Sequence, residues 1–192
     1  MENTQIKIDD LLAKLNNADE KIRVSALDEC VKYGAAAIRP LVETSDKPGF
    51  ETARMAKRCL WKIVRYCSAP GEDKFRKSVC SELTTSLKTA STSLKREILW
   101  MLSEIGDDDS IPVIAEFLKD KDLRDDARCS LQRIPSRKAL KALEDALKTA
   151  DEEFKYAIAD SLRAKGVDVK NYPTKKLTPV KQTSVGKKAQ KP

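Results

Sequence analysis

The sequence predicts an all-α fold, an α-α superhelix of about five stacked helix pairs. Three observations carry this prediction. The composition favours helix: 192 residues contain only Gly 6, Pro 8 and 5% aromatics, with 35% charged residues, where a β-sandwich would want more Val, Thr, Tyr and Gly at strands and turns. One amphipathic segment recurs five times at near-constant spacing. The ends of these segments carry residues that start and stop helices.

The repeat is read most clearly in the second helix of each unit. Five segments fall into register: Ile22 to Cys30, Thr52 to Leu60, Leu94 to Leu102, Leu123 to Leu131 and Phe154 to Leu162. With the first residue of each taken as position 0, positions 0, 4 and 8 are apolar or small in every copy, as one face of a helix requires. The copies are spaced by 30, 42, 29 and 31 residues, a steady period with one insertion in the third unit. The insertion is expected to lengthen a helix of the second kind, form the loop from Ser68 to Gly71 and extend the next helix over 72–88. A shorter amphipathic stretch precedes each copy: Ile8 to Leu15, Ala37 to Val42, Phe75 to Leu87, Ile111 to Leu118 and Ala139 to Leu147. Each unit is therefore an outer helix A, a tight turn and an inner helix B, over residues 6–166.

The turns have their own chemistry. Position −3 is Asp19, Ser91, Asp120 and Asp151, with Gly49 in the second unit, and position +1 is Arg23, Lys95, Arg124 and Lys155, with Ala53 in the second. An Asp or Ser at −3 suits a helix N-cap and the positive end of the dipole. The basic residue can reach back to it, or to the acid of the neighbouring unit, making a ladder. Position +12 is Gly34, Gly106, Pro135 and Gly166 in four copies. Glycine there is expected to supply a left-handed cap, and proline to stop the helix by another route.

The Asp-x3-Arg/Lys turn, the Ala or Ile at +4, the Leu at +8 and the Gly at +12 resemble HEAT repeats, in the short form near 30 residues that phycobilin-lyase subunits also use. The resemblance implies a HEAT-repeat solenoid, a right-handed stack whose inner surface binds a partner, most often another protein. It speaks for architecture and only weakly for activity, because the motif consists of packing and capping residues. Some HEAT-like folds are DNA glycosylases for alkylated bases, so a nucleic-acid-binding module is the alternative that the resemblance leaves open. The iron-binding HEAT hydroxylases need His-Glu pairs, and this chain has no histidine.

That absence removes the usual general base and commonest metal ligand. Ser-His-Asp catalysis and HExxH zinc sites are excluded. No catalytic constellation, cofactor site or metal site is expected. The five cysteines, at 30, 59, 67, 80 and 129, form no CxxC and sit within helical apolar patterns, which reads as small buried hydrophobes in a reducing compartment. The N-terminus has no apolar run suited to a signal peptide, and no stretch approaches a membrane span. The expected location is cytoplasmic.

The candidate contact surface is the face of the B helices opposite the core, at positions 2, 6, 9 and 13. In the second B helix it reads Arg54, Arg58, Trp61 and Arg65, and in the third it begins Arg96 and Trp100. Both tryptophans of the chain thus fall among four arginines on neighbouring helices of the concave wall. Either tryptophan can instead roll into the core. The block 51–100 has 11 basic and 5 acidic residues, a net +6, while 1–50 and 101–150 each carry −2. The expected partner is an acidic or phosphorylated protein segment, gripped by arginine forks around an apolar tryptophan surface. Residues 167–192 carry seven lysines and one aspartate with few apolar side chains, and are expected to form a disordered basic tail.

Overall fold

The computed structural model describes residues 2–175, with side chains from residue 7 onward. Ten α-helices follow one another: Glu2–Leu15 (α1), Glu20–Glu29 (α2), Ile38–Ser45 (α3), Phe50–Cys67 (α4), Asp73–Ser86 (α5), Thr92–Ile105 (α6), Ile111–Glu116 (α7), Arg124–Arg133 (α8), Arg137–Thr149 (α9) and Glu152–Ala164 (α10). Two 3-10 segments, Cys30–Ala37 and Phe117–Lys119, extend the ends of α2 and α7. No strand occurs among the described residues.

The odd-numbered helices are the A helices and the even-numbered ones the B helices of five pairs. α2 packs on α4, α4 on α6, α6 on α8 and α8 on α10, which makes one wall. α1 packs on α3, α3 on α5 and α7 on α9 to make the other. The insertion lies where expected, in a long α4 of 18 residues and a long α5 of 14.

Repetition of the apolar face explains the stacking. Position 4 (Ala26, Ala56, Ile98, Ala127, Ile158) and position 8 (Cys30, Leu60, Leu102, Leu131, Leu162) are buried in all five B helices. A helix pair alone has only its own partner to cover that face, so each pair completes its core on the next. Alanine at position 4 in three units leaves room for the adjacent helix. The buried residues form one continuous cluster from Leu11 to Leu162. Polar groups inside it are satisfied: the Ser130 hydroxyl, for example, donates to the Leu99 carbonyl at 2.9 Å across the α8–α6 contact. No buried side-chain nitrogen or oxygen among the described residues lacks a partner.

Three of the expected caps are formed. Asp19, Ser91 and Asp151 accept from the backbone N–H groups of Lys21, Leu94 and Phe154. Asp120 does something else. α8 begins only at Arg124, and the Asp120 carboxylate accepts from the N–H of Asp122 to tighten the turn before it. The basic ladder is realised once, where Arg124 pairs with Asp151 of the next unit. Arg23 instead donates to the carbonyls of Asn17 and Ala18 at 2.7 and 2.8 Å. Lys95 sits 5.6 Å from the Phe117 ring centre, and Lys155 pairs within its own helix with Glu152.

The glycines at position 12 divide in the same way. Gly34 (φ 59°) and Gly166 (φ 84°) adopt the left-handed conformation. Gly106 does not: its φ of −60° and ψ of 146° are open to any residue. Space is its constraint. A Cβ there would lie 2.5 Å from the Leu102 carbonyl oxygen and 2.6 Å from Ile134 Cδ1, so this glycine lets the third and fourth units approach.

The end of the stack is covered by its own chain. Residues 167–175, expected to open the tail, fold back along α10. Val167 and Val169 pack against the core. Arg163 donates to the carbonyls of Val169 and Tyr172 at 3.1 and 2.9 Å, Thr174 donates to Asp160 at 2.6 Å, and the Tyr172 ring meets Tyr156 edge-on. Among the described residues no sixth pair covers the outer face of α9 and α10, and this segment takes that place. The rest of the expected tail, 176–192, lies outside the described residues.

Two outcomes follow. Gly106→Ala should lower stability in urea unfolding by about 1–3 kcal/mol, the usual cost of overpacking, although its backbone angles suit alanine. The Asp151 carboxyl is held below the ordinary range by the Phe154 N–H and then by the Arg124 guanidinium. Its stabilisation is therefore full above the unfolded value near pKa ~3.9 and is lost as pH falls through the lower folded value. Because asparagine caps as well as aspartate, Asp151→Asn should leave the neutral melt nearly unchanged and remove part of the acid sensitivity in a far-UV CD titration.

Candidate functional site

α4 positions the central part of the proposed surface. Met55, Ala56, Cys59, Leu60, Ile63, Val64 and Cys67 are buried along one side, which leaves Arg54, Arg58, Trp61 and Arg65 on the other. Glu51 in the first turn and Arg65 in the last also suit the helix dipole.

The six expected residues have different environments. Arg54 is exposed and paired with Glu51 one turn away, at 2.6 Å, which lowers the Glu51 pKa and raises that of Arg54. Arg58 is exposed, and its guanidinium approaches the Met55 sulfur at 3.6 Å. Trp61 is half-buried against the core; its indole N–H donates to Glu97 on α6 at 3.1 Å, and Arg65 lies 5.4 Å from its ring centre. Arg96 donates to Asp126 on α8 at 2.9 Å and to the Asp122 carbonyl at 2.7 Å. Trp100 is 38% exposed, and its indole N–H donates to the other oxygen of Asp126 at 2.9 Å.

One carboxylate, Asp126, thus holds both Arg96 and Trp100. Together with Trp61–Glu97 and the Lys62–Asp28 pair at 2.9 Å, it staples α2 to α4, α4 to α6 and α6 to α8. These acids lie on other helices than the side chains they hold, 26 to 36 positions away in the chain, so no spacing within one helix reveals them. The tryptophans separate: Trp61 packs, and Trp100 stands at the surface with its polar edge tied. Within the six-residue stripe, Arg58 and Arg65 are the arginines without a carboxylate partner among the described residues.

The exposed apolar residues extend the surface. Phe50 is 83% and Val24 42% exposed. Phe50 lies four residues before Arg54 and continues its stripe, and Val24 holds position 2 of α2, as Arg54 does of α4. That spacing is visible in the sequence; the exposure of the two side chains is not.

Cys30, Cys59, Cys67 and Cys80 are buried. Burial pushes the thiols of Cys67 and Cys80 up to about 11, so they stay protonated at neutral pH. Among the described residues no group of His, Cys, Asp or Glu could hold a metal ion, and no helix is long and apolar enough to cross a membrane.

Stacked helix pairs with a continuous core and a polar inter-unit seam define an α-solenoid repeat protein. Residues 80–163 match the family model described as HEAT repeats; α1 to α4 precede the match and stack in the same manner. Among solved structures, a designed armadillo repeat protein in complex with peptide (KR)4 is 20% identical, with 85% of each chain covered and a TM-score of 0.46. An engineered protein is 22% identical, covering 82% of this chain and 78% of its own, with a TM-score of 0.43. No curated protein matches the chain.

The two tryptophans should respond differently to truncation. In urea unfolding, Trp61→Ala should cost about 2–3 kcal/mol, somewhat under a full core tryptophan, and Trp100→Ala less than half as much. Equal losses would place both in the core.

Proposed function

We propose that this chain is a non-catalytic protein-binding scaffold, acting in the cytoplasm, whose B-helix wall over α2, α4 and α6 holds an acidic partner segment. The observation that carries this reading is the pair of exposed arginines, Arg58 and Arg65, beside Trp61 and without carboxylate partners among the described residues. Phe50, Val24 and Trp100 add exposed apolar area to the same wall. Arginine and aromatic side chains carry a large share of interface energy, and a guanidinium fork fits a carboxylate or phosphate.

Arg54 and Arg96 contribute less to this surface. Each is engaged by an acid of the protein itself, and a partner carboxylate would have to displace it. Arg58 and Arg65 therefore supply the main anionic contact, with Phe50 and Trp100 as apolar anchors. The nucleic-acid alternative gains no support from the fold or from the comparisons. Strong tracking of a phosphate backbone calls for a longer run of free cations than these two arginines.

Affinity purification with the full chain, with and without nuclease, tests the reading. The expected result is a defined protein partner that survives nuclease and is bound through an acidic segment. Arg58→Glu combined with Arg65→Glu should weaken that binding by about tenfold or more, while the melt shifts by under about 0.5 kcal/mol, as exposed substitutions usually do. Binding lost on nuclease treatment, or duplex DNA bound with an affinity that falls steeply with salt, would favour the alternative instead.

A further inference from the structure

The A layer is unevenly filled. α7 has 6 residues and continues for a single 3-10 turn, Phe117–Lys119, whereas its neighbour α9 has 13. Between the two runs a groove of about 680 Å³, within the size range of binding clefts. Ala115 and Leu118 line one side, Ala142, Ala146 and Ala150 the other, and Phe154 from the start of α10 is also in the lining. Ala142 and Ala146 are spaced by four residues and share one face of α9, and Ala150 follows as its C-cap. Their small side chains let another backbone come close.

The charge around the groove has a direction. Arg124 is already paired with Asp151, and Asp145 with Lys141 and Lys148. Lys119 and Lys121 line the rim and have no carboxylate within ion-pair reach among the described residues. One acid of the lining, Glu116, is likewise unpaired, which leaves the free charge positive by one.

We propose that the groove between α7 and α9 docks an amphipathic helix of a partner protein, whose small apolar stripe fills the space left by the short fourth A helix and whose acidic flank meets Lys119 and Lys121. A helix is the occupant that matches the walls: the small Ala142 and Ala146 side chains, one turn apart on α9, suit ridge-into-groove packing. This site lies on the A layer and stands independently of the B-wall reading.

A displayed library of random peptides, selected against the full chain, tests it. Recovered peptides are titrated by fluorescence anisotropy against the full chain and three variants of it. The expected peptides carry apolar residues at i, i+3, i+4 and i+7 with Asp or Glu alongside. Ala146→Trp, which fills the groove, should weaken them by about tenfold or more, roughly 1.4 kcal/mol. Lys119→Glu combined with Lys121→Glu should weaken them several-fold, with the loss shrinking at high salt. Arg58→Glu, on the other wall, should leave them unchanged. A melt of Ala146→Trp checks its fold, and the exposed lysine pair carries the test if that variant is unstable. Peptides without a helical period, peptides indifferent to the lysine pair, peptides lost with Arg58→Glu, or no recovered binder would each overturn the proposal. So would self-association of the chain that Ala146→Trp abolishes, since the occupant would then be a second copy.

Discussion

The structure depends on one constraint: each helix pair has more apolar face than it can cover by itself. The position-4 and position-8 residues of every B helix are removed from water only because the next pair lies against them. Stability is therefore shared between neighbours, as in other one-dimensional stacks, and each interface needs a close approach. Ala26, Ala56 and Ala127 provide it inside the wall, and Gly106 provides it between the third and fourth units. At the last pair the same constraint calls for a substitute neighbour, which Val167 and Val169 supply.

Polar groups follow the stack. Asp28 with Lys62, Trp61 with Glu97, and Asp126 with Arg96 and Trp100 cross from one B helix to the next. Farther along, Arg128 on α8 donates to the Ser161 hydroxyl on α10, which donates to Gln132. The exposed ones, such as Lys62 with Asp28, contribute little energy each, but all of them orient side chains across the helix contacts. The B wall is consequently less basic than its arginine content suggests. Its free positive charge is concentrated around Trp61, at Arg58 and Arg65. The long α4, made by the insertion, is what carries both.

Much of the candidate surface was legible in the sequence because a stripe at i, i+4, i+7 and i+11 needs only helical geometry. The division of labour within it was not. Whether Trp61 packs while Trp100 stays at the surface depends on α6 and α8, and those helices are distant in the chain. The exposure of Phe50 depends on its surroundings, which an apolar residue next to a turn does not reveal by itself. The A-layer groove left no trace in any local pattern, since it arises from the difference in length between α7 and α9.

The sequence by itself determined the all-α class, the five units, the buried register and the caps at Asp19, Ser91 and Asp151. Each of these follows from interactions within about one helical turn, or from a period that repeats along the chain. Only the tertiary structure decided that Asp120 shapes a turn, that Gly106 is required for space and not for its backbone angles, and that residues 167–175 close the end of the stack. It also decided which arginines keep their charge free. These outcomes turn on contacts between residues some 30 positions apart, such as Arg96 with Asp126 or Gly106 with Ile134, where the stacking distance sets the result and no local spacing encodes it.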